Sequence, residues 1–160
     1  MTRVRLVSSA GLALGLGMTV WVVSAEEQVV PVGLTFLGAP VTAEQVAHGQ
    51  TVYAEYCASC HGANLEGQPN WRRRLDNGRM PAPPHDESGH TWHHSDQDLF
   101  AITKLGVGGV VKGYESDMPA FGDILSDGQI AAVLAFIKSS WPERQRVMQA
   151  RISAHDGSGS

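Results

Sequence analysis

Both cysteines of the 160-residue chain lie in one five-residue stretch, Cys57-Ala58-Ser59-Cys60-His61. A disulfide between them would close a loop too short to constrain much of the unfolded chain. A thioredoxin-like redox pair would lie beside Val- and Ile-rich strands, which the neighbouring sequence lacks. A zinc site would be incomplete unless a distant histidine joined the two thiols and the imidazole. With no other cysteines, the chain has no further disulfides to hold its fold together.

The same stretch has the C-x-x-C-H spacing that is typical of covalent attachment of c-type haem. Two thiols three positions apart on a helical turn can both reach the vinyl groups on one edge of the porphyrin. The histidine that follows then lies beneath the ring, where one imidazole nitrogen can bind the iron. Its other nitrogen needs an acceptor, usually a backbone carbonyl. We therefore predict one haem c bound through Cys57 and Cys60, with His61 as the proximal ligand.

The first 25 residues have the pattern of an export signal. Arg3 and Arg5 precede an uncharged stretch over residues 6–23, and small residues at 23–25 provide a cleavage site. The uncharged stretch is at the lower length limit for a membrane span. A cleaved signal peptide and a retained anchor are therefore both open interpretations. In either case we expect an exported, periplasmic protein, free or tethered to the inner membrane through residues 6–23.

The overall composition excludes one class of function and indicates a bound group. A formal charge of −4 is unfavourable for binding nucleic acid, which needs a basic face. Aromatic residues make up only 7% of the chain, so the core has few large side chains with which to fill its volume. A haem would supply that missing apolar surface. The length fits a single domain.

Beyond the attachment motif, three segments resemble the class I cytochrome c family, in particular the small periplasmic cytochromes of bacteria. Residues 49–57 resemble its N-terminal helix, Met118-Pro119-Ala120-Phe121-Gly122 its sixth-ligand loop, and residues 126–141 its C-terminal helix. The resemblance covers about residues 42–142 and is weakest in the middle third. It implies an all-α cytochrome c fold of three to four short helices around one covalent haem. In that fold the first and last helices cross near Gly49 and Phe136.

The domain organisation follows from this placement. We predict a signal peptide or anchor over residues 1–25, an extended linker over residues 26–41 and the cytochrome domain over residues 42–142. A weak helix and a disordered tail are expected over residues 143–160. Three helix starts are indicated by a Ser or Thr followed three residues later by Gln or Asp. These pairs are Thr42 and Gln45, Ser95 and Asp98, and Ser126 and Gln129.

Two methionines compete for the sixth position on the iron. Met118 precedes a proline and lies far enough beyond His61 for the chain to reach the opposite haem face, so we predict Met118 as the ligand. Met80 also precedes a proline, but a stiff proline-rich run follows it. We expect that run to pass on the His61 side, where a carbonyl near Pro81 or Pro83 accepts the free N–H of His61. Met80 is the weaker alternative.

The middle insert contains His85, His90, His93 and His94. We predict a polar loop in which these histidines contact solvent or the haem propionates, with Trp92 near the haem rim. Bis-histidine ligation of the iron is one alternative. A weak copper or zinc site is another, since imidazole suits both ions.

A basic cluster precedes this insert. It comprises Arg72, Arg73, Arg74 and Arg79, next to Trp71. A solvated loop, pairing with haem propionates and a docking patch are all open interpretations of these arginines.

The predicted function is one-electron transfer between redox proteins such as a membrane respiratory complex, a dehydrogenase or a terminal oxidase. With His61 and Met118 on opposite faces of the iron, no open site remains for a substrate, which favours a carrier over an enzyme. The acidic charge predicts a partner with a basic docking face. The alternatives are the haem subunit of a periplasmic oxidoreductase, such as a thiosulfate- or alcohol-oxidising system, and a metal-handling protein that uses His85 to His94.

Overall fold

The computed structural model describes residues 30–157, so the predicted signal or anchor over residues 1–25 lies outside the described residues. The described chain is predominantly helical, with one small antiparallel pair of strands. Its elements, in order, are β1 (Thr35–Phe36), β2 (Ala39–Pro40), α1 (Ala43–Tyr56), α2 (Ala58–His61), a 3₁₀ helix (Thr91–His93), α3 (Asp96–Leu105), α4 (Val107–Val110), α5 (Asp127–Ser139) and α6 (Glu143–Gly157). No helix within residues 30–157 is long and apolar enough to cross a membrane.

The all-α prediction is confirmed, although the described residues form more helices than the three to four expected. Two of the additional helices, α2 and α4, are single turns of four residues. Another, α6, continues beyond the region that resembles the cytochrome family. All three predicted helix starts are found: the hydroxyls of Thr42, Ser95 and Ser126 each accept the backbone N–H three residues later.

Helices α1 and α5 form the centre of the fold and touch at Gly49. A Cβ atom added to Gly49 would lie 2.0 Å from the carbonyl oxygen of Ala132 and 2.9 Å from Cβ of Phe136. Only a glycine allows the two helices to approach this closely. The predicted crossing near Gly49 and Phe136 is therefore confirmed. Tyr53 of α1 also packs against the ring of Phe136, with ring centroids 5.5 Å apart.

The described part of the predicted linker packs on the domain. Leu34 and Phe36 are buried, and the turn after β1 is fixed because the backbone N–H of Leu37 donates to Asp96 Oδ2 at 2.9 Å. The N–H of Val41 donates to the carbonyl of Leu34 at 3.0 Å, which closes the hairpin. These contacts differ from the extended linker expected from the prolines and glycines, because apolar residues from this stretch reach the core.

A buried polar network joins α3, α5 and α6. Lys138 Nζ donates to Asp96 Oδ1 at 2.8 Å, and Gln149 Nε2 donates to the same oxygen at 2.7 Å. The backbone N–H of Asp96 donates to Ser153 Oγ at 3.0 Å. The segment after residue 142 is therefore a helix fixed by its own polar side chains and extends through Gly157. Residues 158–160 of the predicted tail lie outside the described residues.

Candidate haem-binding site

The attachment stretch forms a tight turn between the long helix α1 and the short helix α2. Cys57 ends α1 and begins α2, and the next residues through His61 complete one helical turn. Both cysteines are free thiols, with Cys57 half-buried and Cys60 exposed. Burial, and to a smaller extent the nearby Cys60, raises the pKa of the Cys57 thiol to about 11. The two thiols and the imidazole are thus carried on one rigid turn.

The His61 side chain is buried and held by a single backbone carbonyl. Its Nδ1–H donates to the carbonyl oxygen of Pro83 at 2.8 Å, as predicted from the proline-rich run. Burial lowers the pKa of His61, and the hydrogen bond to Pro83 opposes part of that effect. With the proton on Nδ1, the lone pair lies on Nε2. This is the tautomer that an iron ligand requires.

The loop after His61 passes close to the proline-rich run because Gly67 allows it. Gly67 has a φ of +68°, and a Cβ atom there would lie 2.4 Å from the backbone nitrogen of Pro84. The N–H of Gly67 donates to the carbonyl of His61 at 2.7 Å. The N–H of His85 donates to the carbonyl of Leu65 at 2.7 Å. The backbone on both sides of the His61 ring is therefore fixed.

His85 lies directly against His61, with ring centroids 3.9 Å apart and an angle of 21° between the rings. Burial, together with the nearby His61 and His90, lowers the pKa of His85 well below its usual value. The His85 side chain is only partly exposed and packs against His61, whereas the insert histidines were expected in contact with solvent or the haem propionates. The signal that would have separated it from the other three is its position directly after the proline-rich run that supports His61.

The other insert histidines pack against tryptophans and neighbouring backbone. His90 stacks on Trp71 with centroids 5.6 Å apart, and His93 stacks on Trp92 at 3.7 Å. The carbonyl of His94 accepts the amide of Gln149 at 3.2 Å. Within residues 30–157, no group of three or more His, Cys, Asp or Glu side chains is arranged to hold a metal ion. The alternative of a copper or zinc site at this loop gains no support from the geometry.

Met118 lies on the loop between α4 and α5 and is half-buried against the hydrophobic core. The loop is tied to α3 by two backbone bonds, from Phe121 N–H to the carbonyl of Thr103 at 3.1 Å and from Gly122 N–H to that of Lys104 at 2.9 Å. A cavity of about 360 Å³ opens beside Met118. Cys57 and Ala58 pack on the same core, so the attachment turn and the Met118 loop both contact one hydrophobic core.

These donors fit a covalently bound haem. Two free thiols have the required spacing, a neutral imidazole presents Nε2, and a thioether lies on a separate loop beside apolar side chains. A family model described as cytochrome c matches residues 46–141, which is more than half of the chain. The chain belongs to the cytochrome c family. Neither the search of curated proteins nor the search of solved structures found a match.

Membership confirms the resemblance noted in the sequence and implies a covalent haem c, for which Cys57 and Cys60 have the family's C-x-x-C-H spacing. Members of the cytochrome c family are typically electron carriers, and in bacteria they typically lie in the periplasm or outside the cell. The match ends at residue 141, so helix α6 of this cytochrome lies beyond it. The hairpin formed by β1 and β2 lies before it.

The basic cluster of this cytochrome is divided among several contacts. Arg79 forms an ion pair with Asp117, and its Nε lies 3.9 Å from Glu115 Oε2. Because Arg79 and Asp117 each precede one of the two candidate methionines, this ion pair joins the two Met-Pro loops. The guanidinium of Arg72 lies 4.2 Å from the centroid of the Trp71 ring. A solvated loop, pairing with propionates and a docking patch were the three interpretations of these arginines. None of them describes the whole cluster, because Arg79 links the two Met-Pro loops.

Proposed function

We propose that the protein is a periplasmic one-electron carrier in which His61 and Met118 bind the haem iron from opposite faces. The observation that carries this proposal is the hydrogen bond from His61 Nδ1 to Pro83, which places the proton on Nδ1 and leaves the Nε2 lone pair able to bind iron. When bound, haem c supplies a centre that accepts and releases one electron. The periplasmic location rests on the export pattern in residues 1–25 and on the usual location of the family in bacteria.

The chain's own residues hold the site in a single geometry. Cys57 and Cys60 fix the prosthetic group to the turn between α1 and α2, and the Pro83 carbonyl orients His61. Met118 supplies a thioether, which favours the reduced iron. Occupation of both axial positions by side chains leaves no position for a substrate, which supports a carrier.

The acidic surface supports a partner with a basic docking face, such as a membrane respiratory complex, a dehydrogenase or a terminal oxidase. Glu115, Asp117, Asp123 and Asp127 are exposed around the Met118 loop and the start of α5. Opposite charges on a partner would accelerate encounter, so the association rate is expected to fall as salt is added. An association rate that does not change with ionic strength would contradict this docking mode.

Optical spectra of the purified protein in both oxidation states test the ligand assignment. We expect a low-spin spectrum in both states, a weak red absorption band of ferric His/Met haem, and no binding of carbon monoxide to the native ferrous protein. Met118→Ala should lose the red band and bind carbon monoxide. Met80→Ala is the matched control, because Met80 also precedes a proline, and it should keep the native spectrum.

Two results would overturn the proposal. If Met80→Ala loses the red band and Met118→Ala keeps it, Met80 is the ligand. If carbon monoxide binds the native ferrous protein, the iron has an open or displaceable position, and the haem subunit of an oxidoreductase becomes the better assignment.

A further inference from the structure

The imidazole of His61 has a second neighbour besides the Pro83 carbonyl. The ring of His85 lies nearly parallel to it, with centroids 3.9 Å apart and 21° between the planes. Tyr53 meets His85 edge-on, with centroids 6.2 Å apart and 72° between the planes. Three rings therefore pack in sequence behind the attachment turn, with His61 at one end. Aromatic contacts of this kind favour particular relative orientations of the rings.

His85 is itself held by contacts from three directions. Its backbone carbonyl accepts the indole N–H of Trp141 at 2.7 Å, and its backbone N–H donates to Leu65. Its Nδ1 lies 2.9 Å from Thr91 Oγ1, and that hydroxyl donates to the carbonyl of Pro84 at 3.4 Å. Since the hydroxyl proton is directed to Pro84, Thr91 is placed to accept the Nδ1 proton of His85. The backbone bonds fix the position of His85 in the chain, and the bond to Thr91 together with the edge-on contact of Tyr53 restrains its ring.

The hydrogen bond to Pro83 cannot by itself fix the plane of the His61 ring. Because the ring is joined to the backbone through Cβ, one bond at Nδ1 fixes the position of that atom but restrains the tilt of the ring only weakly. A flat ring at stacking distance restrains this remaining tilt. An aliphatic side chain of similar volume would fill the space but would not define a plane.

We propose that His85 is a positioning residue that fixes the plane of the His61 imidazole. This inference rests on the proposed function, in which His61 binds the iron. The role needs the flat ring and its contact with Thr91, and it needs no change of charge on His85. Groups around a ligating histidine commonly set its ring orientation, and the usual device is a hydrogen bond. Here a stacked ring acts in addition to that bond.

Four variants of the haem-loaded protein test the proposal: His85→Phe, His85→Leu, Thr91→Val and His93→Leu. The readouts are the NMR shifts of the haem methyl groups in the ferric protein, which depend on the plane of the axial histidine, and the free energy of unfolding. His85→Phe and His85→Leu both lose the hydrogen bond to Thr91, so both should lower stability by a similar amount. We expect the largest change of the methyl shift pattern in His85→Leu, which loses both the flat ring and the bond to Thr91, and a smaller change in His85→Phe, which keeps a flat ring but loses that bond.

Thr91→Val keeps the His85 ring and removes its hydrogen-bond acceptor, so we expect a smaller change in the same direction as in His85→Leu. If His85→Leu does not yield a stable haem protein, the methyl shifts of Thr91→Val test the proposal in its place. His93→Leu is the matched control, because His93 lies in the same insert but stacks on Trp92. Its methyl shift pattern should be native.

Three outcomes would overturn the proposal. Native methyl shifts in both His85→Leu and Thr91→Val would show that His85 does not set the ring plane. Equal changes in the Phe and Leu variants would assign the effect to the lost hydrogen bond. Loss of the low-spin spectrum in His85→Phe, with folding retained, would make His85 itself an iron ligand. Failure of the proposed function is distinguished from these, because the native protein would then lack the spectrum of His/Met haem before any variant is made.

Discussion

The two sides of the haem site are built differently. On the His61 side, residues 83–96 are held at four points by contacts from helices α2, α5 and α6 and from Trp141, which lies between α5 and α6. These contacts are His61 to Pro83, Trp141 to His85, Gln149 to His94, and Lys138 to Asp96. On the Met118 side, the loop is bonded to α3 only near its end, at Phe121 and Gly122. The His61 side is thus joined to the helices at several points, whereas the Met118 loop is joined to α3 only near its end.

An ion pair on each side shows the same contrast. The side chains of Lys138 and Asp96 are each 4% exposed, whereas those of Arg79 and Asp117 are 38% and 56% exposed. Removing one partner of a buried pair leaves an uncompensated charge in the protein interior, whereas an exposed pair is screened by water and salt. We infer that the Met118 loop can be perturbed with little loss of overall stability, and that the His61 side cannot.

The largest expected loss of stability follows removal of the buried ion pair between Lys138 and Asp96. Asp96→Ala should lower the free energy of unfolding by about 3–5 kcal/mol, because Lys138 stays buried without its partner. The measurement is urea unfolding of the haem-loaded protein. Asp98→Ala is the matched control two residues further along α3, where the carboxylate is exposed, and it should cost less than about 1 kcal/mol. Equal losses of unfolding free energy in the two variants would contradict the special role of the buried pair.

The next largest effect concerns the crossing of α1 and α5, on which the attachment turn depends. Gly49→Ala should cost about 1–3 kcal/mol through overpacking, because the added methyl group would lie 2.0 Å from the carbonyl oxygen of Ala132. Gly128→Ala is the control in α5, where the only neighbour of an added Cβ is Ser126 Oγ at 4.0 Å. It should be neutral or stabilising by up to about 1 kcal/mol. Thermal unfolding that ranks Gly128→Ala below Gly49→Ala would reject this account.

The smallest effect on stability is expected on the Met118 side. Arg79→Ala and Asp117→Ala should each change stability far less than Asp96→Ala, because water screens this pair, and their double variant should show a coupling that decreases as salt is added. Under the proposed ligation by Met118, loss of this pair, which joins the Met118 loop to the Met80 loop, should also increase the affinity of the ferric protein for added imidazole. Arg73→Ala, at an exposed arginine of the same cluster, should change neither quantity. A stability loss as large as that of Asp96→Ala would remove the contrast between the two sides.

The features that could be predicted from the sequence are those governed by short spacings. The caps at Thr42, Ser95 and Ser126 depend on residues three positions apart, and the attachment turn on five consecutive residues. The close contact at Gly49 was implied by the family resemblance. The carbonyl for His61 was implied by the likeness of the stiff proline-rich run to the proline-rich loop of the family. Local chemistry therefore sufficed for the caps and the attachment turn, and the family resemblance supplied the other two features.

The features that were missed depend on contacts between distant parts of the chain. In the sequence His85 differs from the other insert histidines only in following the proline-rich run, and its packing depends on the distant Trp141 and on the ring of His61. Helix α6 lacks a strong apolar face, and the burial of Gln149 follows from its bond to Asp96. Periodicity in a single segment carries no information about such polar partners.

The carboxylate of Asp96 receives groups from both ends of the described chain, with Leu37 before α1 and Gln149 in α6. A recombinant fragment cut to the limits of the family match, residues 46–141, would remove both donors and retain only Lys138. We therefore expect a fragment of residues 46–141 to be less stable than one that keeps both donors. Expression fragments, affinity tags and fusion partners should leave residues 34–153 intact.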